Sequence, residues 1–273
     1  MKDIIALDIG GSGIKAGLIR NKKIVKKIKI DTQVSKGKKR ILENIVKSIE
    51  EVRDGKIKAI GIGCPGPADY KEGKILNPPN LKPINNFNLK EFLEKKYKVK
   101  VRMDNDANCA SLAEIINRKE KNFVILTLGT GIGSGVIMNR KLFDQSELGH
   151  IIIDNENYLE DLASGTAVKK RARKDFGKKM WLIDLVNLAK KGDKKAKKAV
   201  KDIGEYLGLG VASIANSFNP EVIVLTGGMR DGGSYFLNIV KEKMKEKTLV
   251  DTKRIEFSKI RDAGLIGAAS LVW

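Results

Sequence analysis

Two short glycine loops of one build constrain this chain more than any other feature. Asp8-Ile9-Gly10-Gly11-Ser12-Gly13 and Leu128-Gly129-Thr130-Gly131-Ile132-Gly133 sit in its two halves. Ile4 to Ile9 and Phe123 to Leu128 enter the loops, and Ile14 to Ile19 and Val136 to Met138 leave them. All four runs are rich in β-branched residues and lack a helical period, so the unit reads as strand, glycine turn, strand. Backbone N–H groups crowd around a phosphate only where side chains are absent, and glycine accepts the φ angles that aim neighbouring amides inward. A dinucleotide fingerprint or a Walker loop needs a helix directly after its glycines, and neither spacing occurs here. Laid together, the two segments match from Leu7 to Ile19 and from Leu126 to Ile137 with one residue missing from the second, the pattern of an internal duplication. The pair of loops is a candidate clamp for a nucleotide phosphate chain.

With 273 residues, 42% of them hydrophobic, the chain can bury a full core and suits about two domains. No apolar run approaches the roughly 20 residues that cross a bilayer, and the N-terminus enters a strand directly, so a soluble, cytoplasmic, unprocessed protein without a membrane partner is expected. Cys64 and Cys109 stand far apart with no Cys-x-x-Cys spacing, which fits a reducing compartment and two buried small hydrophobes. The net charge of +20 raises a nucleic-acid reading. The lysines are spread beside apolar helix and strand faces, however, and aromatic content is 5%, so no stacking platform for bases is visible and no specific nucleic acid is expected.

Strands are expected over Ile4 to Ile9, Ile14 to Ile19, Lys23 to Ile30, Ile57 to Cys64, Val99 to Met103, Val222 to Leu225 and Ile255 to Phe257. Helices are expected from about Lys38 to Val52, Leu89 to Lys96, the Asp104-Asn105-Asp106 cap through Glu114, Ser234 to Lys247 and Ala263 to Val272. A further helical region spans Leu159 to Phe218, broken near Gly177 and Gly192, with Ala196, Val200, Ile203, Leu207, Val211, Ile214 and Phe218 at core-facing steps. The stretch from Pro65-Gly66-Pro67 to Asn77-Pro78-Pro79-Asn80 is too rich in proline for regular structure.

Moving a phosphoryl group to a hydroxyl requires a clamp on the donor phosphates, a divalent cation and a carboxylate to receive the proton. Asp8, at the end of the opening strand, is placed to hold Mg2+ through water, because that ion keeps much of its hydration shell. Its counterpart in the repeat is Thr127, so one half alone keeps the acid. Gly227 and Gly228, after the strand ending near Thr226, allow a flat ring or a ribose to approach.

Several further fragments follow in order: Gly61-Ile62-Gly63-Cys64-Pro65-Gly66-Pro67, Asn105-Asp106-Ala107-Asn108, Glu147-Leu148-Gly149-His150, Leu159-Glu160-Asp161-Leu162-Ala163-Ser164-Gly165 and Leu225-Thr226-Gly227-Gly228. With the two glycine loops they resemble the ROK family of sugar kinases and sugar-responsive repressors over nearly the whole chain. The resemblance implies an α/β chain of the actin-like ATPase and hexokinase (ribonuclease H-like) fold, with two α/β domains and a cleft between them. The domains would be 1–104 plus 260–273, the last helix returning to the first domain, and 105–259. It implies an ATP- and Mg2+-dependent kinase for a hexose or amino-hexose in carbohydrate metabolism, glucokinase first, with N-acetylmannosamine, N-acetylglucosamine or fructose kinases as alternatives.

By the same resemblance Asp106 is the base, Asn105, Glu147, His150 and Glu160 contact the sugar, and Gly66 and Asn80 are looser candidates on the proline-rich loop. Asp8, Gly10, Gly11, Ser12, Gly129, Thr130, Gly131, Gly227 and Gly228 would hold ATP. For Asp106 on its own, a helix cap is the competing reading. Many family members carry a cysteine zinc motif after the histidine. Here Ile151 to Tyr158 holds no cysteine, so no structural zinc is expected. The resemblance also implies a homodimer or higher homo-oligomer. A sugar-sensing regulator shares the fold but adds a DNA-binding helical module, for which a strand beginning at Asp3 leaves no room. A chaperone-like or cytoskeletal ATPase would lack the Asn105-Asp106 and Glu147-to-His150 set.

Overall fold

The computed structural model describes residues 3–143, 146–250 and 254–273. The chain divides into two compact units, the first of Met1–Arg118 and Ile260–Trp273, the second of Lys119–Lys259.

In the first unit β1 (Asp3–Ile9), β2 (Gly13–Arg20) and β3 (Lys23–Asp31) form a meander, and α1 (Gly37–Val52) crosses to β4 (Ile57–Cys64). A two-residue hairpin, β5 (Ala68–Asp69) and β6 (Lys74–Ile75), and α2 (Leu89–Tyr97) lead to β7 (Lys100–Asn105) and α3 (Asp106–Asn117). In the second unit β8 (Phe123–Leu128), β9 (Ile132–Met138) and β10 (Lys141–Phe143) form the meander. The helices α4 (Leu159–Ala163), α5 (Gly165–Phe176), α6 (Leu182–Lys190) and α7 (Lys194–Phe218) then cross to β11 (Val222–Thr226). Next come α8 (Gly233–Lys247) and β12 (Ile255–Phe257), and then α9 (Ala263–Ser270), which belongs to the first unit.

The two sheets repeat one plan. Their orders are β3-β2-β1-β4-β7 and β10-β9-β8-β11-β12. In each, the meander is antiparallel and the remaining strands run parallel to the first. This is the ribonuclease H-like sheet of the actin-like ATPase and hexokinase fold, present twice. The duplication read from the glycine loops therefore extends to whole sheets. The hairpins keep the one-residue difference too: Gly10 to Gly13 separates the paired Ile9 and Ile14, while Gly129 to Gly131 separates Leu128 and Ile132.

β1 and β4 are buried on both faces, as their unbroken apolar runs require. Ile5, Leu7, Ile9, Ile60 and Ile62 pack in one core with Ile41, Ile45 and Ile49 of α1. Ile4, Ala6 and Ala59, with Ile19 of β2, pack on the other face against Leu265, Ala268, Ala269 and Val272. In the second unit Val124, Leu126, Ile223 and Leu225 meet Val200, Ile203, Leu207, Val211 and Ile214 of α7, the helical stripe expected from the sequence. Lys23, Lys26, Lys27 and Lys29 are exposed along the edge strand β3, where charge discourages pairing with another chain. Among the described residues no helix is long and apolar enough to cross a membrane.

The first unit runs through Arg118, past the expected boundary at 104, and takes in α3. The reason is packing: a Cβ on Gly267 of α9 would lie 1.6 Å from the carbonyl oxygen of Cys109, so the backbones of α3 and α9 touch. β9 begins at Ile132, before the expected Val136, because ladder pairing carries Gly133 and Gly135 into the strand despite their weak strand propensity. Ser164 adds a break to the helical region: it ends α4, and its hydroxyl accepts a bond from the Ala167 amide that caps α5.

Candidate active site

β1, β4 and β7 are parallel, so the segments that follow them leave the same edge of the first sheet. Those segments are the first glycine loop, Pro65-Gly66-Pro67, and the start of α3. Binding sites of open parallel sheets form at this carboxyl edge. Across it Asp8 stands beside Gly63 and Gly63 beside Asp104.

The Gly10 amide closes the first loop on the Gly13 carbonyl at 2.9 Å. The Thr32 hydroxyl donates to the Gly10 carbonyl at 2.5 Å and holds the turn from behind. Asn80 is brought to this loop, since a Cβ on Gly11 would meet the Asn80 main chain at 2.7 Å; Ser12 is exposed at its tip. The hairpin register sets Lys15 directly opposite Asp8, and Lys15 Nζ reaches Asp8 Oδ2 at 2.8 Å. Burial alone would lower the Lys15 pKa, but attraction to Asp8, and then to Asp262 and Asp106, outweighs it and the net direction is upward. The first turn of α9 lies against Asp8 as well, with a Cβ on Gly264 falling 2.9 Å from Oδ2.

Asn105, and not Asp106, caps α3. Its side-chain oxygen accepts from the amides of Ala107 at 2.8 Å and Asn108 at 3.4 Å. Asp106 occupies the first helical turn, where its carboxylate accepts from the Ala107 amide at 2.9 Å and meets the positive end of the helix. Asp104 takes the Asn105 amide at 2.7 Å and the Asn108 side chain at 2.9 Å. Asn105 Nδ2 also donates to the Tyr70 hydroxyl at 3.2 Å, and that hydroxyl donates to the Cys64 carbonyl at 3.3 Å. Gly66 lies under the same hydroxyl, so Asn105 and Gly66 are brought together by Tyr70. Burial pushes the Tyr70 hydroxyl up and keeps it neutral. The buried Cys64 thiol is likewise pushed far up, first by burial and then by the charges of Asp106 and Asp8.

In the second unit the Gly129 amide closes its loop on the Gly131 carbonyl at 2.9 Å. The Gly165 amide donates to the Gly129 carbonyl at 2.9 Å, and the Thr166 hydroxyl to the Thr130 carbonyl at 2.8 Å, so these carbonyls turn toward α5. Glu160 Oε2 accepts from the Ile132 amide at 2.6 Å and lies where a Cβ on Gly131 would be, 2.1 Å away. This carboxylate is thus tied to the glycine loop. Gly227 has φ 93° and packs its Cα on the end of β8, with Gly228 open beside it.

Glu147 precedes and His150 ends a 3-10 turn, Leu148–His150, whose Leu148 amide donates to the buried Ser134 of β9 at 2.9 Å. His150 Nδ1 lies 3.7 Å from Glu147 Oε2, and its ring stands 5.3 Å from that of Tyr158. The segment between them closes on itself: Asp154 accepts from the Asn157 side chain at 2.8 Å and from its amide at 2.9 Å, and Ile152 bridges Tyr158. These bonds, led by the Asn157 side chain, hold the Asp154 carboxyl below its usual range. A short hairpin thereby fixes Tyr158 against His150 without cysteine.

Lys15, Tyr70, Thr32, Gly165 and Thr166 were not among the expected site residues. Lys15 had a readable signal, because once the turn is set at Gly10 to Gly13, Asp8 must face it. Tyr70 and Thr32 reach their partners through tertiary packing and leave no local pattern.

The ROK family model matches residues 4–273. The chain is 31% identical to a glucokinase of Thermotoga maritima over 98% of this chain and 96% of that protein. It superposes on the crystal structure of a ROK hexokinase from Thermus thermophilus with TM-score 0.82 and 29% identity, covering 98% and 97% of the two chains. A ROK family glucokinase from Streptomyces griseus, solved with glucose and AMPPNP, gives TM-score 0.83 and 25% identity over 98% of both chains. With a duplicated sheet, paired glycine loops and this likeness along its length, the chain belongs to the ROK family.

Proposed function

We propose that the protein transfers the terminal phosphoryl group of ATP to a hydroxyl of a hexose, with glucose as the first substrate to test and N-acetylmannosamine, N-acetylglucosamine and fructose after it. The observation that carries this reading is the register of the first sheet, which sets Asp8, paired with Lys15 at 2.8 Å, beside Gly63, and Gly63 beside Asp104, two residues before Asp106. A phosphate loop and a carboxylate suited to take a proton thus share one edge of a sheet.

In this reading Asp106 accepts the proton of the sugar hydroxyl while that oxygen bonds to phosphorus and ADP leaves with the bridging electron pair. Asn105 serves this step by capping the helix beside it through the Ala107 and Asn108 amides. The loops Gly10-Gly11-Ser12 and Gly129-Thr130-Gly131 hold the phosphates, and Gly227 and Gly228 receive the nucleoside. Asn105, Glu147 and His150 bind sugar hydroxyls, and Gly66 and Asn80 are further candidates for the same role. Glu160 contributes while bracing the second loop. The residues present fit Mg2+: a hydrated ion carried by phosphates needs one or two carboxylates, and Asp8 offers a partly exposed one at the loop mouth. When bound, that ion offsets charge on the transferring phosphoryl group, and Asp8 would hold it through water.

The test is a panel of these sugars with Mg-ATP, read by ADP release. One or more is expected to turn over, and Asp106→Ala is expected to lower kcat by a factor of about 100 or more. Sugar phosphate formed at the same rate by the variant would reject Asp106 as the base. No turnover, combined with DNA retention relieved by a sugar, would favour the regulator class.

A further inference from the structure

β8 delivers Thr127 to the mouth of the second glycine loop in the place where β1 delivers Asp8 to the first. Each is the residue before the last of its strand. Asp8 faces Lys15 on one side and Gly63 on the other, whereas Thr127 faces Gly133 and Thr226. The acid therefore has a cationic partner across the hairpin, and the threonine has a residue with no side chain. Thr127 Oγ1 is buried and has no hydrogen-bond partner among the described residues.

A buried hydroxyl left unpaired opposes folding, and valine would fill the same volume without that penalty. Such a group calls for a reason beyond packing. The amides that Gly129 and Ile132 contribute are already used, by the Gly131 carbonyl and by Glu160, so the loop has a use for a further donor. A second carboxylate at this position would repel an anion, while a neutral hydroxyl donates to one. That accounts for the divergence of the two repeats at this place.

We propose that Thr127 is a nucleotide ligand whose hydroxyl donates to a phosphate oxygen of the phosphoryl donor held on the second glycine loop. The proposal rests on the kinase reading above and adds to it a residue that neither the loop motif nor the sugar set contains.

The experiment compares Thr127→Val and Thr127→Ser with the parent protein in three measurements: calorimetric binding of AMPPNP, calorimetric binding of adenosine, and the thermal midpoint without nucleotide. Thr127→Val is expected to bind AMPPNP about tenfold or more weakly, the effect of a hydrogen bond to a charged group, and to bind adenosine as the parent does. Its midpoint is expected to equal or exceed the parent value, and Thr127→Ser is expected to keep AMPPNP affinity. Undiminished AMPPNP binding by Thr127→Val would overturn the proposal. So would equal losses in both variants, or a Thr127→Val protein that melts early or fails to fold, since the hydroxyl would then be structural. A parent protein that binds no AMPPNP would remove the kinase reading itself, and that result is seen before any variant is made.

Discussion

In the proposed reading, adjacent residues at the start of α3 divide the work of folding and chemistry. Asn105 satisfies two helix amides and reaches Tyr70, so Asn105→Ala is expected to destabilise the protein by about 1 kcal/mol, with a lower denaturation midpoint in urea. Asp106→Asn keeps a side chain able to accept from the Ala107 amide and loses a charge near the helix end, a change of about 0.3–1 kcal/mol, while sugar phosphorylation collapses. A urea midpoint lowered more by Asp106→Asn than by Asn105→Ala would reverse these roles. Glu160 makes a contact that its motif does not announce. Its motif resembles a sugar contact, yet its carboxylate also accepts the Ile132 amide and shields Gly131, a tertiary contact that no spacing encodes.

Among the elements, α9 is held by approach at backbone distance. Gly267 abuts the Cys109 carbonyl of α3, and Leu265 lies buried against the sheet. Gly267→Ala is expected to force the two helices apart, at a cost of about 1–3 kcal/mol, seen as a thermal midpoint several degrees lower. An unchanged midpoint would mean that the pair gives way freely. Long apolar runs and the step pattern of α7 made most elements readable, because β1, β4, β8 and β11 are buried enough to demand unbroken hydrophobicity. The hairpin of β5 and β6 and the strand β10 escaped, since two or three residues cannot display a period. Ser164 escaped for another reason: a serine between two helical stretches can equally lie within one, and its role as a cap shows only in the Ala167 bond.

For the molecule as a whole, the chain completes its first unit late, with residues 260–273. Leu265 and Val272 are nearly fully buried there, and burying such side chains contributes about 1.5–3 kcal/mol each. Removal of residues 260–273 is expected to abolish hydrogen-exchange protection in β1 and β4 while α7 and β11, which have their own core, stay protected. Equal loss in both units would show that they unfold as one. The same arrangement sets an order of events on the ribosome. Translation supplies all of β8 to β12 before the helix that covers Ile4, Ala6 and Ala59 exists. Throughout that interval the nascent amino-terminal sheet lacks the cover of its last helix, and its exposed apolar face is a hazard whenever synthesis stalls.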